Sequence, residues 1–232
     1  MDGDLGTRLP DGRALSIADE AADRLSCGIL VMSGVQVRDN PAVAEATSAL
    51  GRDLAQVFQG LQPSEIPGLT EARNLYKSFG MDPSRHRPSS EALLRRALKG
   101  MELYRIDAVV DLGNLISLRH QLPLGLYDLG HVEGEVVRIR VGEEGAAYEG
   151  IRKGEVHLAG RLCVVDDAGP FGSPTSDSHR TRIRPTTERV LAILFAPIEG
   201  ERQRLLAAGE DLGAAFREYA AATAIESRLL EP

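Results

Sequence analysis

The apolar residues change their spacing at about residue 122, and this change restricts the possible folds more than any other feature. Upstream segments carry apolar side chains at helical intervals, whereas downstream segments are short, β-rich and separated by Gly, Asp or Pro. The helical segments are 40–60, 69–80, 89–101 and 107–121, and the β-rich segments are 133–141, 154–160, 161–167 and 189–197. This order predicts an α+β fold with layered mixed or antiparallel sheets flanked by helices.

Three regions are predicted along the chain. Residues 1–14, rich in Gly, Asp and Pro, are expected to form a flexible arm. Residues 15–200 are expected to form one domain, in which the continuously apolar segment 27–37 is a buried strand. Residues 201–232 are Ala-rich with helical spacing interrupted at Gly209 and Gly213. They predict a C-terminal helical extension, one long helix or two shorter ones, packed on the same domain.

Composition excludes several classes of protein. A net charge of −7 disfavours a general nucleic-acid binder, because phosphates require a cationic surface. No apolar run approaches the roughly 20 residues that span a bilayer, so no membrane partner is expected. Cys27 and Cys163 lie in apolar runs, which predicts reduced thiols and a cytoplasmic protein. The five histidines lack metal-site spacing and no Gly-rich phosphate loop is present, so no metal or other cofactor is predicted.

Polar residues interrupt two otherwise ordinary segments. Asp111, Asn114 and Ser117 recur every three residues and therefore share one face of an apolar helix. That face either hydrogen-bonds loop backbone or meets a ligand, and spacing alone leaves both alternatives open. The run 173–181, "SPTSDSHRT", is typical of a polar turn, because adjacent residues rarely form a catalytic triad.

Four longer motifs together resemble a known family: "YKSFGMDPSRHRPSSEALLRRALKG", "DLGNLISLRHQLPLGLYDL", "EGEVVRIRV" and "RPTTERVLAIL". The resemblance is to the B3/4 domain of the phenylalanyl-tRNA synthetase β subunit, in a free-standing form, and runs from about residue 15 to 198. That domain is an editing module with an α+β fold, and it hydrolyses the ester that joins a wrongly attached tyrosine to the terminal ribose of tRNA. The sharpest shared motif is D-x-x-N, followed by P and then Y-D.

The resemblance implies a set of site residues. Asn114 and Asp128 would be catalytic, with Asn114 holding the carbonyl or ribose and Asp128 the amine or a water. The implied substrate-binding residues are Gly113, Ser117, Gly125, Tyr127, Ser176, Asp177, Arg180 and Thr187. A tRNA 3′ end is the expected partner. The densest basic stretch would contact it through Arg85, Arg87, Arg95 and Arg96, although solvated surface charge is an alternative reading of that stretch.

Two positions depart from the synthetase pattern. Gly125 stands where the synthetase domain has a histidine, and Ile193 stands where it has a glutamate. Without the glutamate a buried tyrosine hydroxyl loses its partner, at a cost of about 1–3 kcal/mol, which disfavours tyrosine as the substrate. Without the histidine one means of orienting water is lost, although ester hydrolysis can proceed by positioning alone.

Three functions are therefore compared. The first is a stand-alone hydrolase that edits mischarged tRNA or cleaves a related aminoacyl ester. The second is a non-catalytic module that binds a small amino-acid-like ligand or a tRNA end, which the two departures favour. The third is a protein-interaction role suggested by the acidic surface and the Ala-rich C-terminal segment. A monomer or a homodimer is expected.

Overall fold

The computed structural model describes residues 5–151 and 154–232. Within these ranges the helices are α1 (Asp19–Ala22), α2 (Pro41–Val57), α3 (Leu69–Ser78), α4 (Ser89–Leu98), α5 (Ala108–His120) and α6 (Arg202–Tyr219). The strands are β1 (Leu5–Arg8), β2 (Ala14–Ile17), β3 (Leu25–Ser33), β4 (Leu124–Asp128), β5 (Val136–Val141), β6 (Ala147–Gly150), β7 (Gly154–His157), β8 (Leu162–Asp166), β9 (Gly169–Gly172), β10 (Arg189–Pro197) and β11 (Ala224–Leu230).

The strands form two larger sheets and one hairpin. A five-stranded sheet has the order β1-β2-β5-β8-β9, in which β2 and β5 are parallel and the other pairs antiparallel. A four-stranded sheet has the order β11-β3-β10-β4 and is antiparallel throughout. Strands β6 and β7 pair only with each other among the described strands. The predicted α+β fold with mixed and antiparallel sheets is therefore confirmed.

Strands β3 and β10 form the centre of the molecule. They pair over their full length, from Arg189 opposite Ser33 to Pro197 opposite Leu25, and are buried on both faces. On one face Ile29 and Phe195 belong to an apolar core shared with the five-stranded sheet. On the other face Leu30 contributes to a second core with α5 and α6. This two-sided burial explains why segment 27–37 is continuously apolar instead of alternating.

The N-terminal segment differs from the expected flexible arm. Residues 5–8 form β1, which pairs antiparallel with β2 from Leu5 opposite Ile17 to Arg8 opposite Ala14. Gly12 makes the turn with a left-handed φ of +90°. Arg13 anchors the segment by donating a hydrogen bond to the Leu129 carbonyl at 2.9 Å. Composition alone missed this hairpin because the groups that hold it in place, β5 and the Leu129 carbonyl, are distant in sequence. Residues 1–4 of the predicted arm lie outside the described residues.

The C-terminal extension is only partly helical, which corrects the prediction of a helical extension over 201–232. Helix α6 is a single helix that continues through Gly209 and Gly213, and both glycines face β11. The chain then reverses at Ala221, which has a left-handed φ of 56°, and returns as β11 along the edge of β3. Pairing with an available sheet edge satisfies backbone groups over seven residues, and this tertiary gain exceeds the local helix propensity.

Candidate functional site

A small cavity of about 100 Å³ lies where α4, α5, β4 and the segment 177–183 meet. We call it the candidate pocket, and its polar lining residues are Ser89, Asn114, Ser117, Asp177 and Arg182. The remaining wall is largely aliphatic. A larger groove of about 490 Å³ runs between α2 and residues 97–105, but it contains none of the substrate-binding residues implied by the sequence. Four implied residues, Gly113, Asn114, Ser117 and Asp177, converge on the small cavity.

Helix α5 supplies one wall of the candidate pocket. The Asp107 side chain caps the helix by accepting a hydrogen bond from the Val110 amide at 2.9 Å. Helical spacing then places Gly113, Asn114 and Ser117 on one face. No residue of the described ranges forms a hydrogen bond with the Asn114 side chain, so its amide is available to a ligand. The Ser117 hydroxyl is already used, because it donates to the Leu122 carbonyl at 2.7 Å.

Asp111 on this polar face hydrogen-bonds loop backbone and does not face a ligand site. Its carboxylate is buried and accepts a hydrogen bond from the Ile106 amide at 3.1 Å, which fixes the loop before α5. Burial raises the pKa of Asp111 to about 6. Asp111 does not line the candidate pocket. Of the three residues predicted to share a face, Asn114 therefore has the side chain that is free for ligand contact.

Asp177 supplies the acidic group of the candidate pocket. Its Oδ1 atom is buried and has no hydrogen-bond partner among the described residues. Burial raises the pKa of Asp177 to about 7, although the Leu126 backbone N–H and the Tyr127 hydroxyl lower it in part. That hydroxyl lies close enough to affect the carboxyl group but has no partner of normal hydrogen-bond geometry. A carboxyl that titrates near neutral pH in a cavity is a common feature of functional sites.

Tyr127 fills the space beside Gly125. The ring is fully buried and packs edge-to-face on Phe171, with centroids 5.0 Å apart and planes at 86°. A Cβ atom at Gly125 would lie 2.1 Å from the Tyr127 hydroxyl oxygen, so a larger residue there requires the ring to move. Ile193 is the cross-strand partner of Gly125 and is fully buried in the same apolar core. The two positions that depart from the synthetase pattern are therefore neighbours in a filled core.

Comparison with known proteins gives the family. A family model described as the B3/4 domain matches residues 71–207, which is more than half of the chain. The chain belongs to the B3/4 domain family. Among curated proteins no sequence matches this B3/4 protein.

The chain is also similar to solved structures. One is titled an N-terminal fragment of the phenylalanyl-tRNA synthetase beta-subunit from Pyrococcus horikoshii. It is 12% identical, with a TM-score of 0.42 over 92% of this chain and 49% of that chain. The B3/4 protein thus spans about half the length of that solved chain.

Asp128 lies outside the candidate pocket of the B3/4 protein. It is 4% exposed and its carboxylate accepts hydrogen bonds from the Gly130 amide at 2.9 Å and the Thr187 hydroxyl at 2.7 Å. His131 Nδ1 lies 3.1 Å from Oδ2. Thr187 in turn accepts from the Arg184 amide at 2.9 Å. The structure therefore places Asp128 and Thr187 in a buried network that joins the end of β4 to the start of β10.

Replacing Asp128 with alanine should lower the free energy of unfolding by about 2–4 kcal/mol, because the buried Thr187 hydroxyl and the partly buried Gly130 amide lose their acceptor. Urea unfolding followed by circular dichroism measures this loss. Asp53→Ala, on the exposed surface of α2, is the matched control and should change stability by less than about 0.5 kcal/mol. Wild-type stability in Asp128→Ala would show that the network does not hold β4 to β10.

Arg180 and Ser176 also have structural partners. Arg180 pairs bidentately with the buried Asp166, with both nitrogen–oxygen distances at 2.8 Å, and donates to the His131 carbonyl. The Ser176 hydroxyl lies 3.1 Å from the Tyr148 hydroxyl and does not line the candidate pocket. The pocket contains Arg182 instead, which the resemblance did not imply as a site residue. Its Nη1 donates to the His179 carbonyl at 2.9 Å.

The basic residues named as tRNA contacts do not form one free patch. Arg95 pairs with the fully buried Glu91 at 2.7 Å. The Arg96 guanidinium lies 4.1 Å above the centre of the Tyr104 ring. Arg85 and Arg87 are exposed. Arg85 also lies 3.7 Å from the exposed Asp82, so three of the four guanidinium groups have partners within the protein that compete with a phosphate.

The remaining potential metal ligands and the two cysteines do not form a second site within the described residues. Within residues 5–151 and 154–232, no three or more His, Cys, Asp or Glu residues come together as a metal site would require. Cys27 and Cys163 are buried free thiols, and burial raises the pKa of Cys163 to about 12. No helix in these ranges is long and apolar enough to cross a membrane.

Proposed function

We propose that this B3/4 protein hydrolyses an aminoacyl ester of the kind that joins an amino acid to the 3′ end of tRNA, with the candidate pocket as its site. One observation carries the proposal: a small, largely aliphatic cavity holds a free carboxamide, Asn114, beside a buried carboxyl group, Asp177. Family membership and the resemblance of the D-x-x-N and Y-D motifs to the synthetase editing module support the same chemistry.

Asn114 would act on the ester carbonyl. Its side-chain N–H groups can donate to an oxygen that becomes negatively charged when water attacks, which lowers the energy of the transition state. An apolar wall strengthens such an interaction because little water competes with it. Hydrolysis would then depend on positioning of the ester and the attacking water rather than on a histidine, since Gly125 stands at the histidine position.

The positions of the arginines limit which of them could contact the phosphates of tRNA. Arg85 and Arg87 are exposed and close in sequence to Ser89, which lines the candidate pocket, so they are the candidates for phosphate contact. With two such contacts on a chain of net charge −7, binding to tRNA should be modest in strength and should weaken only moderately as salt is raised.

A second function has specific support. The space beside Gly125 is filled by Tyr127, and Ile193 extends the same apolar core, so the groups that would orient water in the synthetase pattern have no counterpart there. A non-catalytic module that binds an aminoacyl group or a free amino acid would retain the candidate pocket without needing those groups.

Release of labelled amino acid from a panel of correctly and wrongly charged tRNAs tests the proposal. Wild-type protein should release one or a few amino acids selectively, and Asn114→Ala should reduce the rate by about 100-fold, as expected for loss of one oxyanion donor. Asn74→Ala, on the exposed surface of α3, is the matched control and should retain the wild-type rate.

The same assay separates the two functions. Absence of release from every charged tRNA would eliminate the hydrolase, and ligand-dependent protection against heat without turnover would then support the binding module. Equal rates in wild type and Asn114→Ala would show that any hydrolysis occurs outside the candidate pocket.

A further inference from the structure

One carboxylate oxygen of Asp177, Oδ1, is buried and lacks a hydrogen-bond partner among the described residues. An ionised carboxylate only accepts hydrogen bonds, and leaving one of its oxygens buried without a partner is energetically costly. Oδ1 of Asp177 is in this situation among the described residues, whereas Asp166 and Glu91, whose side chains are fully buried, are each paired with arginine. The protein thus leaves one acidic acceptor unpaired at the edge of a cavity.

The groups around Asp177 determine which kind of hydrogen-bond donor could pair with Oδ1. The Tyr127 hydroxyl from β4 and the Tyr148 hydroxyl from β6 are neutral groups near Asp177, and both have a pKa raised by burial. Arg182 lines the cavity but directs a nitrogen to the His179 carbonyl. No residue of the described ranges supplies a cation to Oδ1, so a cationic donor from outside would satisfy the carboxylate.

We propose that Asp177 binds the primary ammonium group of a small aminoacyl ligand, so that the candidate pocket requires a free α-amino group. This inference deepens the proposed function and rests on it for the identity of the ligand class. With the ammonium at Asp177, the adjoining carbonyl would meet Asn114, which lines the same cavity. A cavity of about 100 Å³ is far below the several hundred Å³ of typical ligand pockets, so it accommodates a short side chain.

The protonation of Asp177 gives the inference a distinctive pH dependence. An ammonium group binds the ionised carboxylate, which is the minority form below the pKa of about 7. Affinity for a ligand that stays cationic should therefore rise about tenfold per pH unit below pH 7 and level off above it. A role for Asp177 as general base would instead change the rate of hydrolysis without requiring an amino group on the ligand.

Binding of alaninol and of N-acetylalaninol tests the inference, because neither contains an ester that the protein could cleave. Titrations followed by NMR chemical shifts at pH 6 and pH 8 give the dissociation constants. Wild type should bind alaninol about tenfold more tightly at pH 8 and should not bind N-acetylalaninol. Asp177→Asn should lose at least tenfold in affinity together with the pH dependence, whereas Asp53→Asn, which removes an exposed carboxylate, should behave as wild type.

Equal binding of both alcohols, no binding of alaninol at 50 mM, or unchanged binding by Asp177→Asn would each overturn the inference. These outcomes leave the proposed hydrolase intact, because that activity is measured by release from charged tRNA and by Asn114→Ala. Conversely, amine-selective binding without release from any tRNA would retain the role of Asp177 and eliminate the hydrolase. Cleavage of N-acetylated aminoacyl-tRNA at the wild-type rate would also refute the requirement for a free amine.

Discussion

Replacing Glu91 with alanine should lower the free energy of unfolding by about 3 kcal/mol. The Glu91 carboxylate is fully buried and accepts hydrogen bonds from Arg73 on α3 at 2.9 Å and from Arg95 on α4 at 2.7 Å. Removing it leaves two partly buried guanidinium groups without their shared acceptor, which costs much more than losing an exposed pair. The expected value is at the lower end of the known range, since Arg95 is 36% exposed and water can replace part of the interaction.

The chain contains a matched control for this experiment. Glu45 pairs with Arg52 on α2 at 2.8 Å, but both side chains are more than 60% exposed. Glu45→Ala should therefore change stability by less than about 1 kcal/mol. Urea unfolding of both variants measures the difference. A similar small loss in Glu91→Ala would show that burial of the carboxylate does not determine its contribution, and would free Arg95 as a candidate for phosphate contact.

Asp177 should make the protein less stable as pH rises from about 4 to 7. In the folded protein the pKa is about 7, whereas the ordinary value is 3.8, so the folded state holds a proton that the unfolded state has lost. Unfolding then releases that proton, and the free energy of unfolding falls with pH by at most about 1.4 kcal/mol per unit. Above pH 7 both states are ionised and this contribution is constant.

Asp177→Asn should abolish this part of the pH dependence, because an amide is neutral at every pH. Thermal unfolding of wild type and variant between pH 4 and 8 gives the difference curve, in which the contribution of Asp111 cancels. Asp53→Asn should leave the wild-type slope unchanged. Parallel curves for wild type and Asp177→Asn would show that Asp177 is ionised in the folded protein well below pH 7 and is not isolated in the cavity.

Much of the fold follows from local patterns. The apolar stripe of α4 and the continuously apolar β3 occur where their spacing predicts them, because a regular element must bury its apolar face wherever it packs. The errors occur at the termini. Both β1 and β11 are edge strands, which have only weak patterns of their own, and the partner of β11 is distant in sequence.

In the candidate site, too, the sequence predicted some residues, whereas other features depend on the folded chain. Helical spacing placed Asp111, Asn114 and Ser117 on one face, and the family resemblance added Gly113. The resemblance implied a catalytic role for Asp128 and a substrate-binding role for Asp177, but the sequence did not show which of the two has partners within the protein. The contacts of Thr187 with Asp128, and the lack of any such partner at Asp177 Oδ1, became visible only in the folded chain.

The sequence by itself determined the α+β order of elements, the face of α5 that carries Asn114, and the motifs that resemble the B3/4 domain. Tertiary structure alone decided which charged groups are neutralised within the protein, as Arg95 and Arg180 are, and which carboxyl remains unpaired in a cavity, as Asp177 does. The physical reason is that helix and strand periodicity depends on neighbouring residues. Ion pairing and desolvation depend instead on groups brought together from distant parts of the chain.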